Sequence, residues 1–160
     1  PLEVDMKTVA IVQARMGSTR LPDKVMKSIV GRPMIELLLA RLALAKEVDE
    51  IVVATSIEVR NEQLVAHVRT LGYRCVQGSE SDVLSRFLSA ASQSEADVII
   101  RITGDCPLVD PDLVDQAVRA FRTAGVDYLS NVTPPTYPDG LDIEVFTRAA
   151  LEWMNLQIWK

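Results

Sequence analysis

Four short runs of β-branched and apolar residues recur along this chain, and a segment with helical spacing follows each of them. They fall at residues 8–12 (Thr-Val-Ala-Ile-Val), 51–53 (Ile-Val-Val), 73–76 (Tyr-Arg-Cys-Val) and 98–100 (Val-Ile-Ile). Each is too short for a helix and suits a buried strand of a parallel sheet. Helices are expected over residues 34–46, 58–71, 83–91 and from Pro111 to Gly125. Strands alternating with helices of this length predict an α/β fold: a mostly parallel sheet with right-handed crossovers and helices on both faces, hence three layers.

The helix at residues 34–46 is apolar nearly all round, so burial on most sides is expected. The next carries an inner stripe of Leu64, Val65, Val68 and Leu71, with Gly72 as a left-handed cap. His67, the only histidine, lies beside that stripe without a surrounding motif and reads as structural. Val83, Leu84, Phe87, Leu88 and Ala91 mark the third helix, and Arg86 falls off their stripe, free to face solvent or a ligand. Asp110 and Pro111 open the fourth helix as N-cap and first residue. A fifth strand is expected at residues 126–129, then a proline-rich loop at 131–140. Leu141, Ile143 and Val145 then alternate with Asp142 and Glu144, and Thr147 is the expected cap of a last helix holding Trp153 and Trp159.

The loop after the first strand is harder to explain by folding alone. Arg15, Arg20 and Lys24 fall within ten residues, around Gly17, Ser18, Thr19 and Pro22, with no acid before Asp23. Arginine forks fit phosphate oxygens, lysine adds a point charge, and free loop N–H groups can point at an anion. The loop therefore reads as a polyphosphate cradle against the chain's own acidic background, rather than as a solvated basic loop. It is neither Gly-x-Gly-x-x-Gly nor Gly-x-x-x-x-Gly-Lys-Ser/Thr, which disfavours a standard dinucleotide enzyme and a P-loop NTPase. In open parallel sheets, ligands bind outside the carboxyl ends of the strands. The fourth strand ends there in Thr103-Gly104-Asp105, so neighbouring first and fourth strands would set Asp105 across one crevice from the three cations. A hard carboxylate so placed suits Mg²⁺, which takes one or two protein carboxylates and completes its shell with water and phosphate. Cations, triphosphate and one metal ion make a site for nucleotidyl or phosphoryl transfer. The plainer role for Asp105 is to cap its own turn.

The chain has 160 residues, which suits one domain. Residues 1–6 read as an N-terminal extension and residues 7–160 as the domain. Its net charge of −5 argues against general nucleic-acid binding. It has no apolar stretch of membrane-spanning length and no secretory pattern, so neither a membrane nor a nucleic-acid partner is expected. Cys75 and Cys106 are too few for a disulfide scaffold, and a reducing, cytoplasmic setting is the default expectation.

Three motifs in order carry a family resemblance: residues 10–24 (Ala-Ile-Val-Gln-Ala-Arg-Met-Gly-Ser-Thr-Arg-Leu-Pro-Asp-Lys), residues 101–108 (Arg-Ile-Thr-Gly-Asp-Cys-Pro-Leu) and residues 137–146 (Tyr-Pro-Asp-Gly-Leu-Asp-Ile-Glu-Val-Phe). Together they resemble the CMP-sugar synthetases, the acylneuraminate and deoxyoctulosonate cytidylyltransferases, and among them the SpsF-like spore coat polysaccharide branch. The resemblance runs from about Lys7 to Leu151. It implies the nucleotide-diphospho-sugar transferase fold, a Rossmann-like sheet, and a reaction in which a sugar hydroxyl attacks the α-phosphate of CTP and pyrophosphate leaves. By that resemblance Arg15, Arg20 and Lys24 neutralise the triphosphate, Asp105 binds Mg²⁺, and the backbone from Ala14 through Met16 to Gly17 approaches the base with Ser18 beside it. Ser81 and Asp82 fall where the family has a nucleotide-contacting loop, while Tyr137, Asp139, Asp142 and Glu144 fall on the sugar side. Arg15, Lys24 and Asp105 are the expected catalytic set, and a homodimer is implied. The family runs on beyond the position of Lys160, with a further acidic metal ligand and dimer contacts, so the domain is expected to be C-terminally truncated.

Two other readings stay open. A glycosyltransferase on the same fold would use a nucleotide-sugar donor, although it usually carries an Asp-x-Asp motif where this chain has Gly-Asp-Cys. A truncated, non-catalytic nucleotide-binding domain is the other.

Overall fold

The computed structural model describes residues 6–158. Trp159 and nearly all of the expected N-terminal extension therefore lie outside the described residues. Strand β1 (Thr8–Gln13) is followed by the hairpin β2 (Ser28–Ile29) and β3 (Arg32–Pro33), then helix α1 (Met34–Leu42). Next come β4 (Glu50–Ser56), α2 (Glu62–Thr70), β5 (Arg74–Gly78), α3 (Val83–Gln93), β6 (Val98–Thr103) and α4 (Pro111–Ala124). The last three elements are β7 (Tyr128–Ser130), β8 (Glu144–Thr147) and α5 (Arg148–Ile158).

Six strands form one sheet in the order β5-β4-β1-β6-β8-β7. The four expected strands are parallel neighbours, and β8 enters antiparallel between β6 and β7. Successive side chains of a strand point to opposite faces, so β1 feeds two cores at once. Ala10 and Val12 pack with Leu38 and Leu39 of α1, Leu64 and Val68 of α2, and Val114 and Val118 of α4. Val9 and Ile11 pack on the other face with Phe87 and Ala91 of α3 and Leu151 of α5. Three layers follow directly, as the alternation of elements predicts.

The differences from expectation have local causes. The helix at 34–46 ends at Leu42, because buried Asp115 of α4 accepts the N–H groups of Lys46 and Glu47 at 2.8 Å each and turns the chain. Every residue of α1 is buried or half-buried, as a helix apolar nearly all round should be, while Leu44, just beyond its end, is exposed. The hairpin β2–β3 replaces the expected simple turn, with Val30 at φ 50° and Gly31 at φ 82°. Two left-handed residues are what a two-residue hairpin of this twist requires. The fifth strand starts two residues later than expected, at Tyr128. Residues 141–143 keep the expected alternation, with Ile143 buried, but pair with the single residue Asn131, through its side chain and its backbone N–H, rather than with a strand. Asn131 donates to Leu141 O at 2.8 Å and accepts from Ile143 N at 2.8 Å.

Arg86 overturns its expectation. It is 3% exposed and donates to the carbonyls of Ser79 and Glu80, so it braces a loop instead of facing solvent or a ligand. Helical spacing counts α-carbon directions, and a long side chain can fold back along its own helix. His67 is structural as expected, with its Nε2 3.2 Å from Glu36 Oε2.

Candidate active site

β1 and β6 are parallel neighbours in register to their last residues, Gln13 opposite Thr103. Their following loops therefore leave the sheet side by side. Gly104 N donates to Gln13 O at 2.8 Å. A β-carbon on Gly104 would lie 2.7 Å from Ala14 Cβ and 2.7 Å from Gln13 O, so the close approach of the two loops needs glycine there. Across this seam Lys24 Nζ donates to Asp105 Oδ2 at 2.7 Å. The Lys24 ammonium holds the Asp105 carboxyl below its ordinary range.

A cleft of about 310 Å³ opens over the seam. Its wall holds Ala14, Arg15, Ser18, Arg20, Lys24, Arg101, Thr103 and Asp105, among others. Four cations thus face a single acid, which is the arrangement an anion with a bound cation requires. Of the expected nucleotide residues, Ala14, Arg15, Ser18, Arg20 and Lys24 are brought together here with Asp105.

Met16 and Gly17, also expected beside the nucleotide, do not line this cleft. The Met16 side chain is buried in the core, its N–H donates to Asn61 Oδ1 at 2.8 Å, and its carbonyl accepts from Ser18 N and Asp23 N. Asn61 is fully buried and also donates to Ser56 Oγ at 2.6 Å, so it ties the turn after β4 to the basic loop. A β-carbon on Gly17 would meet the Arg60 guanidinium at 2.7 Å.

Ser81 and Asp82 do not line this cleft. Asp82 caps α3 by accepting Ser85 N at 2.9 Å, and Ser81 is exposed beside Ser79. Their neighbour Glu80 reaches the basic loop instead: its Oε1 accepts from Arg15 Nη1 at 2.7 Å and from Arg60 Nη2 at 3.3 Å. The Ser56 hydroxyl, with Arg15 and Arg60 beside it, holds the Glu80 carboxyl below its ordinary range.

The four expected sugar-side residues also lie outside the cleft wall. Glu144 touches it through Arg101, with which it pairs, while accepting from Tyr128 OH at 2.7 Å. Burial raises the Cys106 thiol above its ordinary value, and the carboxylates of Asp105, Asp142 and Asp139 push it further up. Tyr137 is exposed.

Sequence reasoning missed Asn61, Arg60, Glu80 and the cleft face of Arg101. Only Arg101 left a usable signal, a lone charge inside a buried strand beside the Asp105 loop. One group fits a divalent cation in part: Asp105 provides a single carboxylate, and no cluster of three or more potential ligands occurs among the described residues. A magnesium ion held there by Asp105 would need phosphate and water for its remaining ligands.

The cytidylyltransferase family model matches residues 9–150. The chain is 42% identical over 152 residues to the uncharacterized protein MJ1063 of Methanocaldococcus jannaschii, which covers 94% of this chain and 61% of that protein. It is 40% identical over 129 residues to the spore coat polysaccharide biosynthesis protein SpsF of Bacillus subtilis, covering 78% of this chain and 54% of SpsF. A solved cytidylyltransferase from Leptospira borgpetersenii superposes with a TM-score of 0.90 at 35% identity, covering 94% of this chain and 64% of that one. A CMP:2-keto-3-deoxy-manno-octonic acid synthetase solved with CTP superposes with a TM-score of 0.77 at 22% identity, covering 94% and 78%, and shows the fold alone. The chain spans less than two-thirds of the length of MJ1063, SpsF and the Leptospira protein. The family match runs through both loops of the cleft, and the chain belongs to the cytidylyltransferase family.

Proposed function

We propose that this chain carries the nucleotide site of an enzyme that transfers CMP from CTP to a sugar hydroxyl for polysaccharide biosynthesis. The observation that carries this reading is the seam between β1 and β6, where Lys24 meets Asp105 in a cleft also lined by Arg15, Arg20 and Arg101. Arg15, Arg20 and Lys24 neutralise the triphosphate, and the Ala14–Gly17 backbone borders the base. Asp105 would hold a magnesium ion, which would supply charge neutralisation at the phosphates. The sugar oxygen forms a bond to the α-phosphorus, the α–β phosphoanhydride bond breaks, and pyrophosphate leaves with the bonding electrons. The hydroxyl proton passes to solvent. Tyr137, Asp139, Asp142 and Glu144 border the sugar, with Glu144 acting from beside Arg101. Homodimer assembly, which rests on the family resemblance, and a cytoplasmic location, which rests on the low cysteine count, belong to the same proposal. Among the described residues, no helix is long and apolar enough to cross a membrane.

A thermal-shift titration tests the nucleotide. A ligand at a hundred times its dissociation constant adds about 2.7 kcal/mol, or roughly 5–10 °C in a domain of this size. A magnesium-dependent shift with CTP, lost in Lys24→Ala at unchanged circular dichroism, is expected. Shifts with UDP-sugars and none with CTP would move the chain to nucleotide-sugar-dependent transfer. Unchanged CTP shifts in Lys24→Ala would remove the basic loop from the site.

A further inference from the structure

Arg15 carries a long, half-exposed side chain at the mouth of the cleft. Left alone, such a side chain samples many rotamers, and ordering it opposes ligand binding. This one is not left alone. β5, β4 and β1 are adjacent in the sheet, so the loops that follow them lie in a row along one edge. Glu80 follows β5, Arg60 follows β4 and Arg15 follows β1. Glu80 Oε1 accepts from Arg15 Nη1 at 2.7 Å and from Arg60 Nη2 at 3.3 Å.

The carboxylate is itself held from behind. Burying an arginine is costly unless its donors are used. Arg86, 3% exposed, directs Nη1 onto the carbonyls of Ser79 and Glu80, the latter at 2.9 Å. Its chain crosses Gly78 so closely that a β-carbon there would lie 2.8 Å from Arg86 Cγ. Glycine, buried arginine and helix cap therefore fix the backbone that presents Glu80. A guanidinium has five N–H donors in one plane. Glu80 engages one nitrogen of Arg15, which leaves the rest of the fork for a phosphate.

We propose that Glu80 is a positioning residue: it never touches the nucleotide, and it sets the orientation in which Arg15 meets the triphosphate. This inference rests on the reading of the cleft as a triphosphate site. Arg60 and Arg86 hold Glu80 in place, so the basic loop after β1 acts together with the turns after β4 and β5.

The test is a double-mutant cycle read as CTP affinity by calorimetry, using Arg15→Ala, Glu80→Gln and the pair. Residues in contact couple strongly enough that Glu80→Gln is expected to weaken CTP about tenfold in the wild-type background and by less than about twofold in Arg15→Ala. Glu80→Asp keeps the negative charge among the three arginines, which protects the fold, but shortens the reach to Arg15. It is expected to lose affinity to a similar degree. Unchanged or tighter binding in Glu80→Gln and Glu80→Asp, or an equal loss in both backgrounds, overturns the positioning role. If Arg15→Ala and Lys24→Ala both bind CTP like the wild type, the triphosphate reading itself fails and the positioning role falls with it. A loss confined to Arg15→Ala and Lys24→Ala sinks the role of Glu80 alone.

Discussion

Replacing Gly104 by alanine places a methyl group against the seam that builds the cleft. Its carbon would lie 2.7 Å from Ala14 Cβ and 2.7 Å from Gln13 O, against a comfortable separation of about 3.5–4.0 Å. Neither neighbour is the free end of a flexible side chain, so the loops must part. Overpacking of this kind costs about 1–3 kcal/mol. The bond from Gly104 N to Gln13 O, 2.8 Å long, is lost or stretched as well. That adds about 0.5–1.5 kcal/mol. The expected total is about 2–4 kcal/mol, or a fall in Tm of roughly 5–15 °C. Gly17→Ala is the matched control. Its methyl group also falls 2.7 Å from a neighbour, but that neighbour is the half-exposed Arg60 guanidinium, which can swing away. Losing an exposed ion pair costs about 0–1 kcal/mol. Urea denaturation of both variants measures the difference, and a CTP titration reads the cleft. Parting the loops also separates Lys24 from Asp105, so Gly104→Ala is expected to bind CTP more weakly at temperatures where it is fully folded. Equal stabilities for the two variants, or a neutral Gly104→Ala, would refute the claim that backbone contact at this seam sets the site.

Asn61→Ala leaves the Met16 N–H and the Ser56 hydroxyl without their buried partner and is expected to cost about 1–3 kcal/mol in chemical denaturation. A cost below the error of that experiment would show that the amide does not hold the loop. Asp105 has its carboxyl depressed in the folded state by Lys24, so its contribution is present above the unfolded value of about 3.9 and fades as pH falls through the lower folded value. Asp105→Asn is therefore expected to flatten the acid side of the stability–pH curve below about pH 4. An acid limb identical to the wild type would mean that the Lys24 pair does not form in solution.

The periodicities were legible because they are local. Short apolar runs and helical stripes placed all four parallel strands and the α3 and α4 helices, and the caps Asp110 and Gly125 marked the ends of α4 as read. The charge pattern of residues 15–24 and the lone Asp105 pointed to one shared edge of the sheet, where the structure brings them together, because a strand's carboxyl end is a sequence position before it is a place. Elements bounded by a distant side chain were not legible. Asp115 stops the segment after α1 from across the core, and Asn131 takes the place of a strand partner at residues 141–143. Neither interaction leaves a trace within a window of neighbours.

By itself, then, the sequence determined which residues become strands and helices, which faces they bury, and which loop carries concentrated positive charge. The tertiary structure alone decided that β1 and β6 lie side by side, that Gly104 brings their loops into contact, and that Glu80, Arg60 and Arg86 gather behind Arg15. The physical reason is separation along the chain: Arg15 and Glu80 are 65 residues apart, and Lys24 and Asp105 are 81. Local spacing carries no information about partners that far away, and only the order of strands in the sheet brings them within hydrogen-bonding distance.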